Sequence, residues 1–412
     1  MFGASTWTQG RQLPRWSELQ PLIARRPFIA DSIDRRLARA HTIDDLRTMA
    51  RRRVPRPVFD YVDGAADDEI SINRSRNAFR GIAFHPNALR DVSKVDTSTE
   101  LLGERLAFPL VLAPTGFTRL MHHEGESAVA HAAADATLAY CLSTMGTTSI
   151  EDLAAQSPVG RRWFQLYLWK DRDASLALID RAIEANYEAL VLTIDTPVAG
   201  ARMRDVRNGL TIPPTLTPRT IAAISTRPSW WFNLLTTGPL EFASLSSWDG
   251  TVAELVNQMF DPSVGVDDLR WLRAHWPGKL VVKGIQNRQD ATLVVENGAD
   301  AVVVSNHGGR QLDRAVTPLQ LLPQVVEAVG GDAEIIIDSG IMSGADIVAA
   351  VSLGATAAMV GRAYLYGLMA GGERGVGRAL KILNTEVVRT MQLLGVTRIA
   401  DLDPDLVSLT HD

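Results

Sequence analysis

Cysteine is almost absent from this chain. The single residue, Cys141, excludes an internal disulfide framework and a cysteine-ligated iron–sulfur cluster. It lies in an apolar run, which suits an inert core thiol better than a nucleophile. Positive charge is also in short supply. A net charge of −5 gives no general reason to expect a nucleic-acid partner. Long apolar stretches are missing too: the longest, Ile347 to Gly361, is broken by Ser352, Gly354 and Thr356 and is too short to span a bilayer. The first residues carry no apolar segment of the secretory type. These gaps lead us to expect a cytoplasmic protein, with a peripheral place on the inner face of the cell membrane as the alternative. No metal-ligand set is assigned. No G-x-G-x-x-G turn follows the first apolar run, which argues against a doubly wound dinucleotide-binding sheet, the nearest rival fold.

What the chain does have is apolar content of 46%, enough for a sizeable core. Eight short apolar runs end in polar or glycine residues: Leu110–Ala113, Leu138–Leu142, Trp163–Leu166, Ala189–Ile194, Lys279–Val282, Ala301–Val304, Glu334–Ile337 and Ala357–Val360. Helical patterns follow most of them, among them Asp173–Ala185, Thr317–Val329 and Gly344–Leu353. Near-continuous apolar strands alternating with helices imply parallel strands covered by helices, and eight such units imply an α/β (β/α)8 TIM barrel.

Residues 1–45 form a basic N-terminal arm in this reading, expected to be helical and packed outside the barrel, which takes up 46–412. Between Arg11 and Arg56 there are 12 arginines against five acidic residues, which suits solvated helix faces and subunit contacts. The fourth and fifth runs are separated by a long insertion, over 206–265, rich in proline and containing Trp230-Trp231-Phe232 and Trp248. Insertions at this face of a barrel serve as lids or docking surfaces. Core packing is the favoured use of the tryptophans, and a membrane interface the alternative.

In a barrel, all eight strand ends open on one face, where active sites lie. The most informative of them is Ser305-Asn306-His307-Gly308-Gly309-Arg310-Gln311-Leu312-Asp313. A histidine three residues before an arginine, just past a strand, aims a proton acceptor and a cation at one spot. That pairing suits proton abstraction from a substrate whose carboxylate is held by arginine. Gly340, Gly344 and Gly361-Arg362 follow the seventh and eighth strands, where barrels commonly bind phosphate. Gln165 and Thr193 can hydrogen-bond a planar heterocycle, and Lys283 can neutralise charge developing on it. A phosphate site, a planar acceptor and no nucleotide fold point to FMN.

These segments resemble the FMN-dependent α-hydroxy acid oxidase and dehydrogenase family. The likeness runs from about Thr42 to the C-terminus, on Phe59-Asp60-Tyr61 with Gly64-Ala65, Ala113-Pro114-Thr115-Gly116, Trp163 to Tyr167, Leu192 to Pro197, Lys283-Gly284 and Ser305 to Asp313. Gly200-Ala201-Arg202 followed by Arg204-Asp205, and Gly361 to Tyr364, suit its bacterial L-lactate dehydrogenase branch. The resemblance implies a role for each residue. His307 is the base and Asp195 orients it. Arg310, Arg202 and Tyr61 hold the substrate carboxylate, and Tyr167 bonds near the substrate hydroxyl. Lys283 sits at the flavin N1–C2=O edge, and Ala113, Pro114 and Thr115 near N5. Ser143, Gln165 and Thr193 bond the ring, Asp338 the ribityl chain, and Gly361 and Arg362 the phosphate. Ser305, Ser339 and Gly340 belong to the same cofactor site.

The implied activity is oxidation of an L-2-hydroxy acid to the 2-oxo acid, with L-lactate to pyruvate favoured. The alternatives are an oxygen-using oxidase or monooxygenase and a mandelate-type dehydrogenase for a larger acid. A quinone or a separate redox protein is the expected electron acceptor, and a homotetramer the expected assembly. Two departures stand out. Many relatives carry an arginine after the Asp-Gly-Gly-type turn that clamps the phosphate. Here the turn reads Asp338-Ser339-Gly340-Ile341-Met342, which shifts that load to Arg362 and backbone amides. Met145 and Ala199 replace larger residues of some relatives and bear on the substrate side-chain pocket.

Overall fold

The computed structural model describes residues 13–20, 29–209, 225–245 and 260–409. The expected insertion therefore lies outside the described residues over 210–224 and 246–259, Trp248 included, and the arm over 1–12 and 21–28.

Eight parallel strands close into a barrel: β1 (Leu110–Leu112), β2 (Ala139–Ser143), β3 (Arg161–Leu166), β4 (Ala189–Thr193), β5 (Lys279–Ile285), β6 (Ala301–Val304), β7 (Glu334–Ile337) and β8 (Ala357–Val360). Closure runs through β8 against β1, with Ala358 beside Leu110 and Val360 beside Leu112. β1, β2, β4, β6 and β8 are buried along their whole length. Side chains alternate between the barrel interior and the helical layer, so both sets must be apolar. This is the expected (β/α)8 fold.

Two strands run longer than their apolar runs. β3 begins at Arg161 and Arg162, whose heads leave the sheet: Arg161 pairs with Glu188 at 2.9 Å, and Arg162 bonds the Ser157 and Gly160 carbonyls. β5 continues past Val282 to Ile285 through an irregularity between Lys283 and Ile285.

Besides short helices at Trp16–Leu19, Ser32–Leu37 and Thr118–Met121, the helical layer includes α1 (Ile43–Arg53), α2 (Arg56–Asp63) and α3 (Ile70–Arg80) before the barrel, α4 (Gly125–Asp135), α5 (Ile150–Gln156) and α6 (Arg172–Glu184) between the early strands, α7 (Met203–Asn208), α8 (Pro228–Leu235) and α9 (Val266–His275) between β4 and β5, then α10 (Arg288–Glu296), α11 (Pro318–Val329), α12 (Gly344–Ser352) and α13 (Arg362–Leu394). The helices expected after β3, β6 and β7 appear within a residue of their expected bounds. Their starts follow local chemistry. Asp171 caps α6, Pro318 opens α11, and Ser343 with Asp346 forms a capping box on α12.

The segment before the barrel is tied to its last helix. Thr42 and Asp45 cap α1, which buries Ile43, Leu46 and Ala50 on one face. Arg36 donates to the Ala370 carbonyl and Arg378 to the Ala40 carbonyl, joining this segment to α13. The N-terminal end of the barrel is covered by a hairpin, Thr99–Leu101 with Glu104–Leu106. Its Leu102 N–H donates to Glu334 at the start of β7, and its Leu101 carbonyl accepts from Arg161. The opposite end is left to the site.

Candidate active site

The C-terminal ends of the strands surround a cavity of ≈ 270 Å³. Tyr61, Ala113, Pro114, Thr115, Ser143, Gln165, Tyr167, Thr193, Arg202, Lys283, His307, Arg310, Asp338, Ser339, Gly340, Gly361 and Arg362 line it, so nearly every candidate residue from the sequence meets here. Asp195 and Ser305 stand one layer behind the lining, bonded to His307 and Lys283. Met145 and Ala199 also face the cavity.

His307 Nδ1 lies 2.9 Å from Asp195 Oδ1. A carboxylate there requires the ring proton on Nδ1, which leaves Nε2 with a lone pair. Asp195 is fully enclosed: its side chain has 0% exposure. Burial pushes its carboxyl pKa up, but His307 and then Lys283 outweigh this and hold it below the ordinary value. The enclosure depends on Gly284 in β5. It adopts φ +110, and a Cβ there would lie 2.8 Å from the Asp195 Cβ. His307 itself adopts φ 57. For a non-glycine residue that region costs about 1–3 kcal/mol and needs surrounding bonds to hold it. Its N–H donates to Ser305 Oγ at 3.0 Å, and Gly309 N–H donates to Asn306 Oδ1 at 3.0 Å.

Two cations flank one aromatic ring. Arg310 lies 4.9 Å and Arg202 5.2 Å from the Tyr61 ring centre. Arg310 also donates to the Tyr61 carbonyl at 2.6 Å, so α2 and the loop after β6 are locked together. Burial, then the neighbouring Arg202, lowers the Arg310 pKa. Arg202 also meets Asp205 at 3.4 Å, which helps hold the two cations side by side, and a substrate carboxylate matches the geometry of two guanidiniums. Tyr167 completes this side; burial and then Asp195 push its phenol pKa well up, so the hydroxyl stays protonated.

On the opposite side Lys283 Nζ reaches Ser305 Oγ at 3.0 Å and Asp338 Oδ2 at 3.1 Å. Burial would lower its pKa, but Asp338 and Asp195 raise it above the ordinary value, and the ammonium stays charged. Ser143 Oγ donates to Gln165 Oε1 at 3.1 Å, while Gln165 Nε2 is buried with no partner among the described residues. Tyr364 OH donates to the Ala113 carbonyl at 2.8 Å and meets Thr115 Oγ1 at 2.7 Å, fixing the loop after β1. Ser339 Oγ donates to Asp338 and accepts from Gly308 N–H, joining the loops after β6 and β7. Arg362 spends Nε on the Val62 carbonyl and Nη2 on the Gly64 carbonyl.

These residues fit FMN. The orphaned Gln165 Nε2 is a donor waiting for a ring acceptor, and the enclosed Lys283 ammonium suits a group that gains negative charge. Arg362 and the glycine turns after β7 and β8 line the same cavity and would hold the phosphate.

The family model for FMN-dependent dehydrogenases matches residues 50–409. This chain belongs to that family. It is 57% identical over 394 residues to a Mycobacterium tuberculosis (strain ATCC 25618 / H37Rv) protein that bears the L-lactate dehydrogenase name provisionally, covering 96% of this chain and 95% of that one. It is 40% identical to an L-lactate dehydrogenase of Pseudomonas syringae pv. syringae (strain B728a), covering 88% and 97%. The solved structure of a monotopic membrane protein, (S)-mandelate dehydrogenase, superposes with a TM-score of 0.87 at 38% identity, covering 90% of this chain and all of that one. FMN is the cofactor of this dehydrogenase.

Several lining residues escaped the sequence reading, among them Ile72, Met121, Phe242, Phe260 and Arg76. Phe242 and Phe260 come from the long insertion; Phe260 packs edge-on against Tyr167 at 5.5 Å and Phe242 against Phe117 at 4.6 Å. Arg76 comes from α3, outside the barrel. Nothing in local patterning marks any of them. They reach the site only through contacts between segments distant in sequence.

Proposed function

We propose that this FMN-dependent dehydrogenase oxidises L-2-hydroxy acids to 2-oxo acids, with L-lactate to pyruvate as the preferred reaction. The observation that carries this reading is the His307–Asp195 pair opening on the same cavity as Arg202 and Arg310. The two arginines and Tyr61 anchor the carboxylate, and Tyr167 bonds near the hydroxyl. His307 Nε2 takes a proton from the substrate, and Asp195 stabilises the imidazolium that results. Substrate oxidation releases two electrons and two protons in all; FMN is the electron acceptor. Met145, Ala199, Phe242 and Phe260 bound the side-chain end, which takes a methyl group and leaves room for a larger acid.

The electrons then pass to a quinone or a separate redox protein, and the enzyme docks peripherally on a membrane. In α8, Phe232 is 58% and Leu235 72% exposed, whereas Trp230 turns inward and donates to the Leu120 carbonyl. Among the described residues no helix is long and apolar enough to cross a membrane. A homotetramer is the proposed assembly, the basic arm serving subunit contacts.

Anaerobic titration with L-lactate, D-lactate and (S)-mandelate, followed by the flavin absorbance, tests the substrate. Bleaching by L-lactate but not D-lactate is expected. Bleaching by mandelate alone would transfer the assignment to a larger acid. Slow recovery of the absorbance on admitting air is expected of a dehydrogenase, and fast recovery would make it an oxidase.

A further inference from the structure

Position 342, where the family resemblance leads one to expect a phosphate-clamping arginine, is a methionine packed against the core. The compensation comes from outside the barrel. Helix α3 lies directly on the cofactor loops. Asp313 accepts from the Ile70 and Ser71 N–H groups at 3.2 and 2.7 Å, and Asn306 Nδ2 donates to Ser75 Oγ at 3.2 Å. Gly340 adopts φ +101, and a Cβ there would lie 2.6 Å from the Ser75 carbonyl oxygen, so only glycine lets α3 approach so closely. Ile72 and Arg76 are one helical turn apart and both face the cavity, beside Gly340 and Met342.

Arg76 Nη2 is buried, and no group among the described residues accepts its hydrogens. Asp63, a carboxylate that feels the Arg76 charge, is already engaged by Arg47, Arg204 and Tyr366. Arg362 shares this end of the cavity, and burial, then Arg310 and Arg76, pushes its pKa down to about 10. Asp63 acts on both cations through space, but neither donates a hydrogen bond to it, and two neighbouring guanidiniums with unspent donors call for an anion between them.

We propose that Arg76 binds the FMN phosphate in this chain, together with Arg362, replacing the arginine absent at position 342. The guanidinium fork suits two phosphate oxygens, a geometry that lysine does not reproduce. The inference rests on FMN being the cofactor, and its failure is separable from failure of that reading.

The test is equilibrium titration of the flavin-stripped full-length chain with FMN and with riboflavin, which lacks the phosphate. Wild type should bind FMN more tightly than riboflavin; equal affinity would count against a phosphate site altogether. Arg76→Met should weaken FMN about 10- to 100-fold, the usual loss of a charge-assisted hydrogen bond, and leave riboflavin within about twofold. Met342→Arg placed in the Arg76→Met background should recover most of the FMN affinity. Arg76→Lys, a variant milder for folding, should retain the charge and fall between. The proposal is overturned if Arg76→Met changes neither flavin, or weakens both alike, because a general loss of structure does not read the phosphate.

Discussion

Asp195 reaches from the end of β4 to hold His307, which stands after β6, with 2.9 Å between Oδ1 and Nδ1. The contact fixes a tautomer, so its loss has a specific consequence. In Asp195→Asn an amide faces Nδ1 and can donate to it, which moves the ring proton to Nε2 and removes the proposed base. Turnover should fall by about two to four orders of magnitude, as in His307→Ala, while FMN content stays at the wild-type level. Stopped-flow anaerobic flavin reduction measures this. Retention of half the wild-type rate in either variant would rule out the assigned base.

The pair of arginines around Tyr61 predicts how substrate binding fails. Arg310→Met removes one cation of the proposed carboxylate site and frees the Tyr61 carbonyl it holds. The expected loss in kcat/KM for L-lactate is about 10- to 150-fold, that of one charge-assisted hydrogen bond. For lactamide, which has no carboxylate, the loss should be much smaller. An equal loss on both substrates would assign Arg310 a purely structural role.

Asp63 links four elements. It bonds Arg47 twice, Arg204 at 3.2 Å and Tyr366 OH at 2.8 Å, joining α1, α2, α7 and α13 beneath the site. Burial alone would raise its pKa; the Arg47 and Tyr366 hydrogen bonds and the arginine charges overcome this and hold it well below 3.8. A depressed folded-state pKa gives stability that is present above the unfolded value and lost as pH falls through the folded one. Asp63→Asn should therefore destabilise the protein by about 1–3 kcal/mol at pH 7, since it removes the charge from the buried carboxylate that accepts from Arg47, Arg204 and Tyr366, while both arginines keep a second carboxylate, Asp44 and Glu69. The gap in urea midpoint between variant and wild type should narrow at pH 3. A gap unchanged with pH would mean that the carboxylate charge is not the stabilising feature.

The barrel was legible because its strands are buried on both faces and therefore read as unbroken apolar runs. Site residues at strand ends, such as Lys283 and His307, followed from that topology. The extension of β5 to Ile285 was not legible, because Gly284 reads as a loop and its role depends on Asp195 lying against it. Arg76 was hidden for a related reason. Its helix carries no catalytic pattern, and contacts with Asn306, Asp313 and Gly340, made across more than 200 residues of chain, bring it to the cavity. Phe242 and Phe260 sit in an insertion whose composition suggested a lid or docking surface without saying which side chains turn inward.

The same insertion carries the last prediction. Helix α8 divides its apolar residues: Trp230 is anchored by its hydrogen bond to Leu120, while Phe232 and Leu235 face out at 58% and 72% exposure. Exposed apolar side chains on a short helix lower their free energy by entering the interfacial layer of a bilayer, each contributing about 1.5–3 kcal/mol when fully buried. Replacing both by serine should weaken sedimentation of the holoenzyme with phosphatidylcholine vesicles by at least about tenfold, well within that range. Anaerobic reduction by L-lactate should be unaffected, because neither residue lines the cavity. Activity with a lipid-soluble quinone held in the vesicles should fall in step with binding, whereas activity with a water-soluble acceptor should not. Equal sedimentation of wild type and double variant would remove α8 as the docking element; loss of activity with both acceptors would show that the substitutions act on the fold and not on the membrane.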